Sequence, residues 1–275
     1  MVVSCLAFPC CGDDGDRDPN AYRLTEVVLV GPAPAQEDRE FRPEVLLRNG
    51  ARYTGQWKGN LRDGAGTVVW PDGASYVGEF SQDMAKGMGK FTQPDGDAYE
   101  GQWLDDQAHG KGKYIQVDGA VFEGDWVADQ QHGEGKETWP DGSTYSGQYV
   151  HGKKTGKGTF SWSGGSKYSG SFKDNEIHGE GTYDWADGRR YHGEWSQSKM
   201  HGVGTCVWPD GRSYEGHYHY DKKQGYGVFR WPDGSRFTGE WQNGKQNGPG
   251  CFWAPGALVP RKGMWENGKC IKWSS

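Results

Sequence analysis

Rings and glycines recur along this chain with one period. An aromatic residue stands at Tyr53, Tyr76, Tyr99, Phe122, Tyr145, Tyr168, Tyr191, Tyr214 and Phe237, and every interval is 23 residues. With that residue as position 0, Gly follows at +2, from Gly55 to Gly239. A second ring follows at +4: Trp57, Phe80, Trp103, Trp126, Tyr149, Phe172, Trp195, Tyr218 and Trp241. A Gly-x-Gly pair occupies +11 and +13, from Gly64 and Gly66 to Gly248 and Gly250. Position +15 is mostly aromatic (Phe91, Tyr114, Phe160, Tyr183, Phe229, Phe252), and +17 is usually Trp: Trp70, Trp139, Trp162, Trp185, Trp208 and Trp231. Positions 0, +2 and +4 share parity, so they lie on one face of a strand; +11 to +17 do the same on the next. The opposite parity is polar, with Glu79, Glu100, Lys111, Glu194 and Glu215. Glycine in a strand admits close approach of another group, and here that group is a neighbouring ring.

Each repeat therefore predicts a β-hairpin. One connection is Pro-Asp-Gly, as in Pro71-Asp72-Gly73 and Pro232-Asp233-Gly234. Proline presets φ for the first turn position, and Gly takes a left-handed one. The other connection reads as six polar, variable residues, such as Leu104 to His109. These variable turns are candidates for choosing partners, because a rigid scaffold leaves its loops free to vary. A lone hairpin cannot bury its face, so neighbours must stack. The predicted fold is all-β: an elongated single-layer antiparallel sheet of stacked hairpins, twisted and grooved, about 85 Å long at ~4.8 Å per strand. Residues 45–256 carry the array, with 45–50 as its first strand, because Val45 and Leu47 fill the +15 and +17 places of a half-repeat. Residues 257–275 read as a degenerate capping hairpin, since Gly263 and Trp265 come one residue late. Residues 1–44 form an acidic extension, in which Tyr22–Val30 has the pattern of a docking strand and 31–43 that of a linker.

Composition sharpens this picture. The chain has 275 residues, of which 46 are Gly; only 33% are hydrophobic, yet 14% are aromatic. Disordered chains are poor in rings, and collagen needs Gly at every third position. No apolar run approaches the ~20 residues of a membrane helix. Nine acids against four arginines give residues 1–44 a charge of −5 out of −6, so the rest is nearly neutral. A nucleic-acid binder would carry a basic footprint and a lipid binder a polybasic cluster; the array has neither. The expected partners exclude nucleic acid.

The pattern Y-x-G-x-W…H-G-x-G-x-x-x-W-P-D-G, repeated at 23-residue spacing over residues 53–256, resembles the MORN repeat (membrane occupation and recognition nexus). The resemblance implies a non-catalytic scaffold without cofactor, docking other proteins as a peptide or helix in a shallow groove. It implies placement in the cytoplasm, with a cytoskeletal, ciliary or cortical assembly, as in radial-spoke-type relatives. It further implies homodimerisation through terminal repeats, here the Trp265–Trp273 edge, and raises binding of acidic phospholipids. The structural rings are Tyr53, Trp57, Tyr76, Tyr99, Trp103, Trp126, Tyr145, Tyr168, Tyr191, Trp195, Tyr214 and Trp241. The groove candidates are Trp70, Trp139, Trp162, Trp185, Trp208 and Trp231. Two repeats depart from the pattern: Gln116-Val-Asp118-Gly119 replaces Trp-Pro-Asp-Gly, and Glu137 interrupts the rings at +15.

Candidate chemistry outside the repeat is sparse. Cys5, Cys10 and Cys11 sit in a short apolar start, where S-palmitoylation can occur; an anchor there makes a membrane-cortex tether the alternative function. Position 2 is Val, which excludes myristoylation. Six cysteines without a C-x-x-C pair indicate no disulfide framework and no zinc site. His109, His132, His178 and His201 share one repeat position, but adjacent repeats lie ~10 Å apart, too far for one ion to bridge. The Asp14–Asp18 cluster has Pro19 and Thr25 where a calcium loop needs Gly and Glu. No nucleotide-binding or hydrolase motif occurs.

Overall fold

The structure, a computed structural model, describes residues 38–274. Cys5, Cys10, Cys11 and the Tyr22–Val30 stretch lie outside the described residues. Those described form 21 strands and no helix, so the all-β antiparallel hairpin fold read from the sequence is what the chain adopts. They fall into two compact units, one reaching Gly142 and including Gln148–Lys153, the other Ser143–Gly147 with Lys154 onward. In the first, β1 (Glu40–Leu46), β2 (Arg52–Lys58), β3 (Leu61–Val69), β4 (Ser75–Ser81), β5 (Met84–Thr92), β6 (Ala98–Leu104), β7 (Gln107–Ile115), β8 (Val121–Val127) and β9 (Gln130–Thr138) each pair with the next. β10 (Thr144–Val150) follows in the chain. In the second unit β11 (Lys153–Ser161), β12 (Lys167–Lys173), β13 (Glu176–Asp184), β14 (Arg190–Ser196), β15 (Lys199–Val207) and β16 (Ser213–His219) pair in the same way. So do β17 (Lys222–Arg230), β18 (Arg236–Gln242), β19 (Lys245–Trp253), β20 (Arg261–Glu266) and β21 (Lys269–Trp273).

Three local devices repeat. The first is a glycine pair under a ring. Gly101 faces Gly112 across β6 and β7. A Cβ added to Gly101 would lie 2.5 Å from the Gly112 Cα, and one on Gly112 would lie 2.3 Å from the Tyr99 hydroxyl. The Tyr99 ring thus lies flat across both glycines, and its hydroxyl donates to the Gln102 carbonyl at 2.9 Å. Tyr53, Tyr76, Tyr168, Tyr191 and Tyr214 donate in the same way, at 2.8–3.1 Å. The second device is a bulge. Pairing shifts between Gly101 and Trp103, and Gly110 takes φ +65, a conformation that favours glycine. The Gln102 amide oxygen accepts the Lys111 N–H at 2.8 Å.

The third device corrects the sequence reading. The connection read as six variable residues is a two-residue turn. Asp105 and Asp106 have φ of 49° and 67°, with β6 ending at Leu104 and β7 starting at Gln107. Two left-handed residues make a type I′ turn, whose twist matches the flanking strands. The second turn residue also ties repeats together. The Asp106 carboxylate accepts the Ala85 N–H at 2.7 Å, and Asp83, Asp129, Asn175 and Asp221 serve the preceding repeat likewise. Gly152 and Gly244 take the same place with φ of 74° and 83°, so tolerance of positive φ is what every such turn needs, and the side-chain acceptor is a tie that most repeats add.

The first strand also differs from expectation. It spans Glu40–Leu46 rather than 45–50. Asn49 and Gly50 are consumed by the turn onto β2: the Gly50 N–H donates to the Leu47 carbonyl at 3.0 Å, and the Asn49 side chain accepts the Ala51 N–H at 3.1 Å. Pairing with β2 is irregular between Arg42 and Val45, where Pro43 has no N–H to give.

The core is a ladder of edge-to-face rings. In the first unit Tyr53, Phe80, Tyr76, Trp103, Tyr99, Trp126, Phe122 and Tyr149 follow one another with centroids 5.1–5.3 Å apart. In the second, Tyr145, Phe172, Tyr168, Trp195, Tyr191, Tyr218, Tyr214, Trp241 and Phe237 do the same at 5.1–5.7 Å. Phe237 then meets Trp265 of β20 at 4.8 Å. Each such pair adds about 1 kcal/mol beyond its burial, which offsets the shortage of aliphatic side chains. Trp103, Trp126, Trp195 and Trp241 donate their indole N–H to a glycine carbonyl of the previous repeat at 3.0–3.3 Å. Trp57 is buried with no such partner, because the Pro43 irregularity stands where that glycine would be.

Candidate partner-binding surface

In each unit the +15 and +17 places form a second column of rings on the face that carries the ladder. The two columns differ. In the first unit Trp70 is buried, with Phe91 at 5.8 Å and near-perpendicular. Gln93 and Gln116 then take the +17 places, and Val68 and Glu137 take +15 places beside Phe91 and Tyr114. Glu137 is buried and accepts the Tyr149 hydroxyl at 3.1 Å, which explains a carboxylate among rings. Trp139 closes this column as a half-buried ring.

In the second unit the column is nearly all aromatic. Phe160, Trp162, Tyr183 and Trp185 lie in tilted contact at 4.4, 5.1 and 4.5 Å. Trp208, Phe229, Trp231 and Phe252 continue at 5.9, 4.6 and 6.1 Å. Between these groups stands Cys206, buried, its thiol pushed up by loss of water around it. Trp162, Trp185, Trp208 and Trp231 are all half-buried. None of their indole N–H groups has a hydrogen-bond partner among the described residues, in contrast to the four ladder tryptophans that donate to glycine carbonyls. Cations rest on the column: Arg189 over Trp185 at 4.9 Å and Arg212 over Trp208 at 5.7 Å. Arg189 and Arg212 are also held by Asp187 and Asp210 of their own turns, at 2.7 Å.

The structure adds residues that the sequence pattern passes over. Arg62, Lys154 and Lys223 share position +9, opposite the +4 ring, where other repeats carry Ala, Gln, Ile or Met. Arg62 is buried against Phe80 and Tyr53 and donates to the Asp83 carbonyl at 2.6 Å. Lys154 lies over Tyr145 at 5.2 Å. Lys223 is surrounded by Phe229, Tyr214, Trp208 and Trp241 at 4.7–5.0 Å. Burial lowers its pKa to about 8. No carboxylate pairs with it among the described residues. Position +9 shares parity with +11, so its inward side was readable; its charge was hidden inside a stretch taken for a loop.

Of the sequence-derived candidates, the twelve structural rings fall on the ladder. Trp162, Trp185, Trp208 and Trp231 share the second unit's column, while Trp70 and Trp139 belong to the first unit. No cluster of three metal-ligating side chains occurs among the described residues. His132 and His201 each meet another histidine, His151 at 5.7 Å and His219 at 5.1 Å between ring centroids.

No curated protein matches the chain. Among solved structures, it is similar to the TCP10 domain of Danio rerio CPAP in complex with a peptide of Danio rerio STIL, at 12% identity and a TM-score of 0.46, covering 86% of this chain and 99% of that one. A second is the SAS-4 (dCPAP) TCP domain of Drosophila melanogaster with a proline-rich motif of Ana2 (dSTIL), at 9% identity and a TM-score of 0.32, covering 76% and 96%. The model of the MORN repeat matches nine consecutive segments, at residues 53–75, 76–98, 99–121, 122–144, 145–167, 168–189, 191–211, 214–236 and 237–257. The glycine pairs, the ring ladder and these nine matches place the chain in the MORN-repeat family.

Proposed function

We propose that this chain is a non-enzymatic scaffold that docks other proteins on the second ring column of its second unit, in a cytoskeletal, ciliary or cortical assembly. The observation that carries the reading is the contrast between the two sets of tryptophans. Ladder indoles are buried and mostly spent on glycine carbonyls. Trp162, Trp185, Trp208 and Trp231 are half-buried, once per repeat, with N–H donors that have no partner among the described residues. Aromatic side chains with an unspent donor are typical interface anchors. Family membership supports the scaffold role, and the cellular placement follows from it by analogy.

The test is quantitative capture by the full chain from an extract of the source cells, against a Trp185→Ala/Trp208→Ala/Trp231→Ala variant of checked melting temperature. Loss of a discrete set of proteins supports docking. Identical capture, together with co-sedimentation of the full chain with phosphoinositide vesicles, overturns it in favour of a membrane tether anchored at Cys5, Cys10 and Cys11. Homodimerisation belongs to the same proposal: β21 has no strand on its far side among the described residues and presents Ile271 and Trp273, 60% and 37% exposed. Light scattering is expected to give twice the chain mass, and a monomeric mass removes that part.

A further inference from the structure

We infer that the occupant of this column is a proline-rich partner segment in the polyproline II conformation, with one of its carboxylates set over Lys223. The inference rests on the docking reading and names what docks. It starts from the free donors. Trp162, Trp185, Trp208 and Trp231 each offer an indole N–H that has no partner among the described residues. A polyproline II segment has no internal hydrogen bonds, so its carbonyls are free to accept. An α-helix has already committed its carbonyls, apart from its last turn.

Pitch decides the same way. One repeat adds two strands, ~9.6 Å along the sheet at ~4.8 Å each. Three residues of polyproline II rise ~9.3 Å and return to the same face. Seven residues of α-helix rise ~10.5 Å. From Trp162 to Trp231 there are three repeat steps, over which the polyproline segment slips ~1 Å and the helix ~3 Å. A β-strand also rises ~9.9 Å in three residues, but three is odd, so alternate contacts would point away from the rings. A segment with proline at every third position is therefore the one that meets every tryptophan. Proline over tryptophan loses little entropy on binding, since the conformation is preformed.

Lys223 supplies the charge. Its ammonium lies within 5.0 Å of four rings, two of them, Trp208 and Phe229, in the column itself. The Arg62 guanidinium at the same repeat position has Asp83. Lys223 has no carboxylate among the described residues, and the shortage of water around it holds its pKa near 8. A partner carboxylate arriving there would complete a pair in a partly desolvated site, where charge-assisted contacts are worth most. Methionine occupies the same position in the preceding repeat, at Met200, so a cation is not what the packing requires.

The experiment uses the full chain and labelled synthetic peptides of equal length and composition, read by fluorescence anisotropy. One peptide has proline at every third position and one at every fourth. A glutamate is scanned through the non-proline positions, with glutamine controls. The every-third peptide is expected to bind at least about tenfold more tightly, a difference of about 1.4 kcal/mol. Trp208→Phe and Trp231→Phe keep a ring and remove the donor, and are expected to weaken it several-fold. Lys223→Met is expected to erase the preference for one glutamate position. Equal binding at both spacings, binding by neither, or indifference to the Trp variants overturns the inference. If the peptides fail while the triple alanine variant still loses captured proteins, docking stands and the occupant is wrong. If that variant loses none, docking itself falls.

Discussion

The two units share one column of rings and differ in the other. Each unit has a ladder of position 0 and +4 rings in edge-to-face contact, and in each a phenylalanine, Phe122 or Phe237, stands in for one tyrosine. The second column is interrupted in the first unit by Gln93, Gln116 and Glu137, and is nearly continuous in the second. A fold that tolerates glutamine at +17 does not need tryptophan there. The ladder is what folding requires, and the second column is where this chain can specialise.

That separation can be broken by substitution. The largest effect is expected at Tyr99→Ala, which empties a buried ladder place and is expected to cost about 4 kcal/mol in urea unfolding. Gly101→Ala comes next, at about 3 kcal/mol, because its methyl group would meet the Gly112 backbone at 2.5 Å and force two strands apart. Trp185→Ala, in the second column, is expected to cost only about 1 kcal/mol while removing captured partners. A cost as large as that of Tyr99→Ala would merge the two columns into one structural core. Tyr99→Phe is expected to cost about 1 kcal/mol, since the Gln102 carbonyl loses its donor, and Phe122 and Phe237 show that the ring alone is tolerated.

The smallest effect has the opposite sign. Burial raises the Asp106 carboxyl from 3.8 to about 6. The folded chain then binds more protons than the unfolded chain between those values, so this group's contribution to stability falls as pH rises through them. Its cost is absent near pH 4 and complete above about pH 6. Asp106→Asn keeps the acceptor for the Ala85 N–H, as Asn175 does for Lys154, at 2.8 Å. It is expected to stabilise the chain by under about 1 kcal/mol at neutral pH and to lose that gain in unfolding measured near pH 4.

Much of this was legible in the residues. A strict period with Gly facing Gly names the hairpins, their inner face and the ladder, because parity alone assigns sides. Less visible were features that depend on hydrogen bonds rather than side. The turn at Asp105–Asp106 looks like a loop, since a type I′ turn needs residues that also populate loops. Pro43 could have warned of the irregular first strand, but Val45 and Leu47 fit a half-repeat well enough to shift the expected boundary. The groove tryptophans were legible as a column, not as two kinds. Whether an indole N–H is spent depends on which carbonyl lies under it, and spacing does not say that. Lys223 was missed because a lysine between polar residues reads as solvated until four rings close on it.

The most direct test of the division between columns is site-specific photo-crosslinking in cells. A photoreactive phenylalanine analogue would be placed at Trp185, Trp208 or Trp231, and at Glu194 or Glu215 on the opposite face. The account predicts a discrete crosslinked partner band from the three tryptophan positions and none from the two glutamates. Bands from the glutamate positions alone would contradict it.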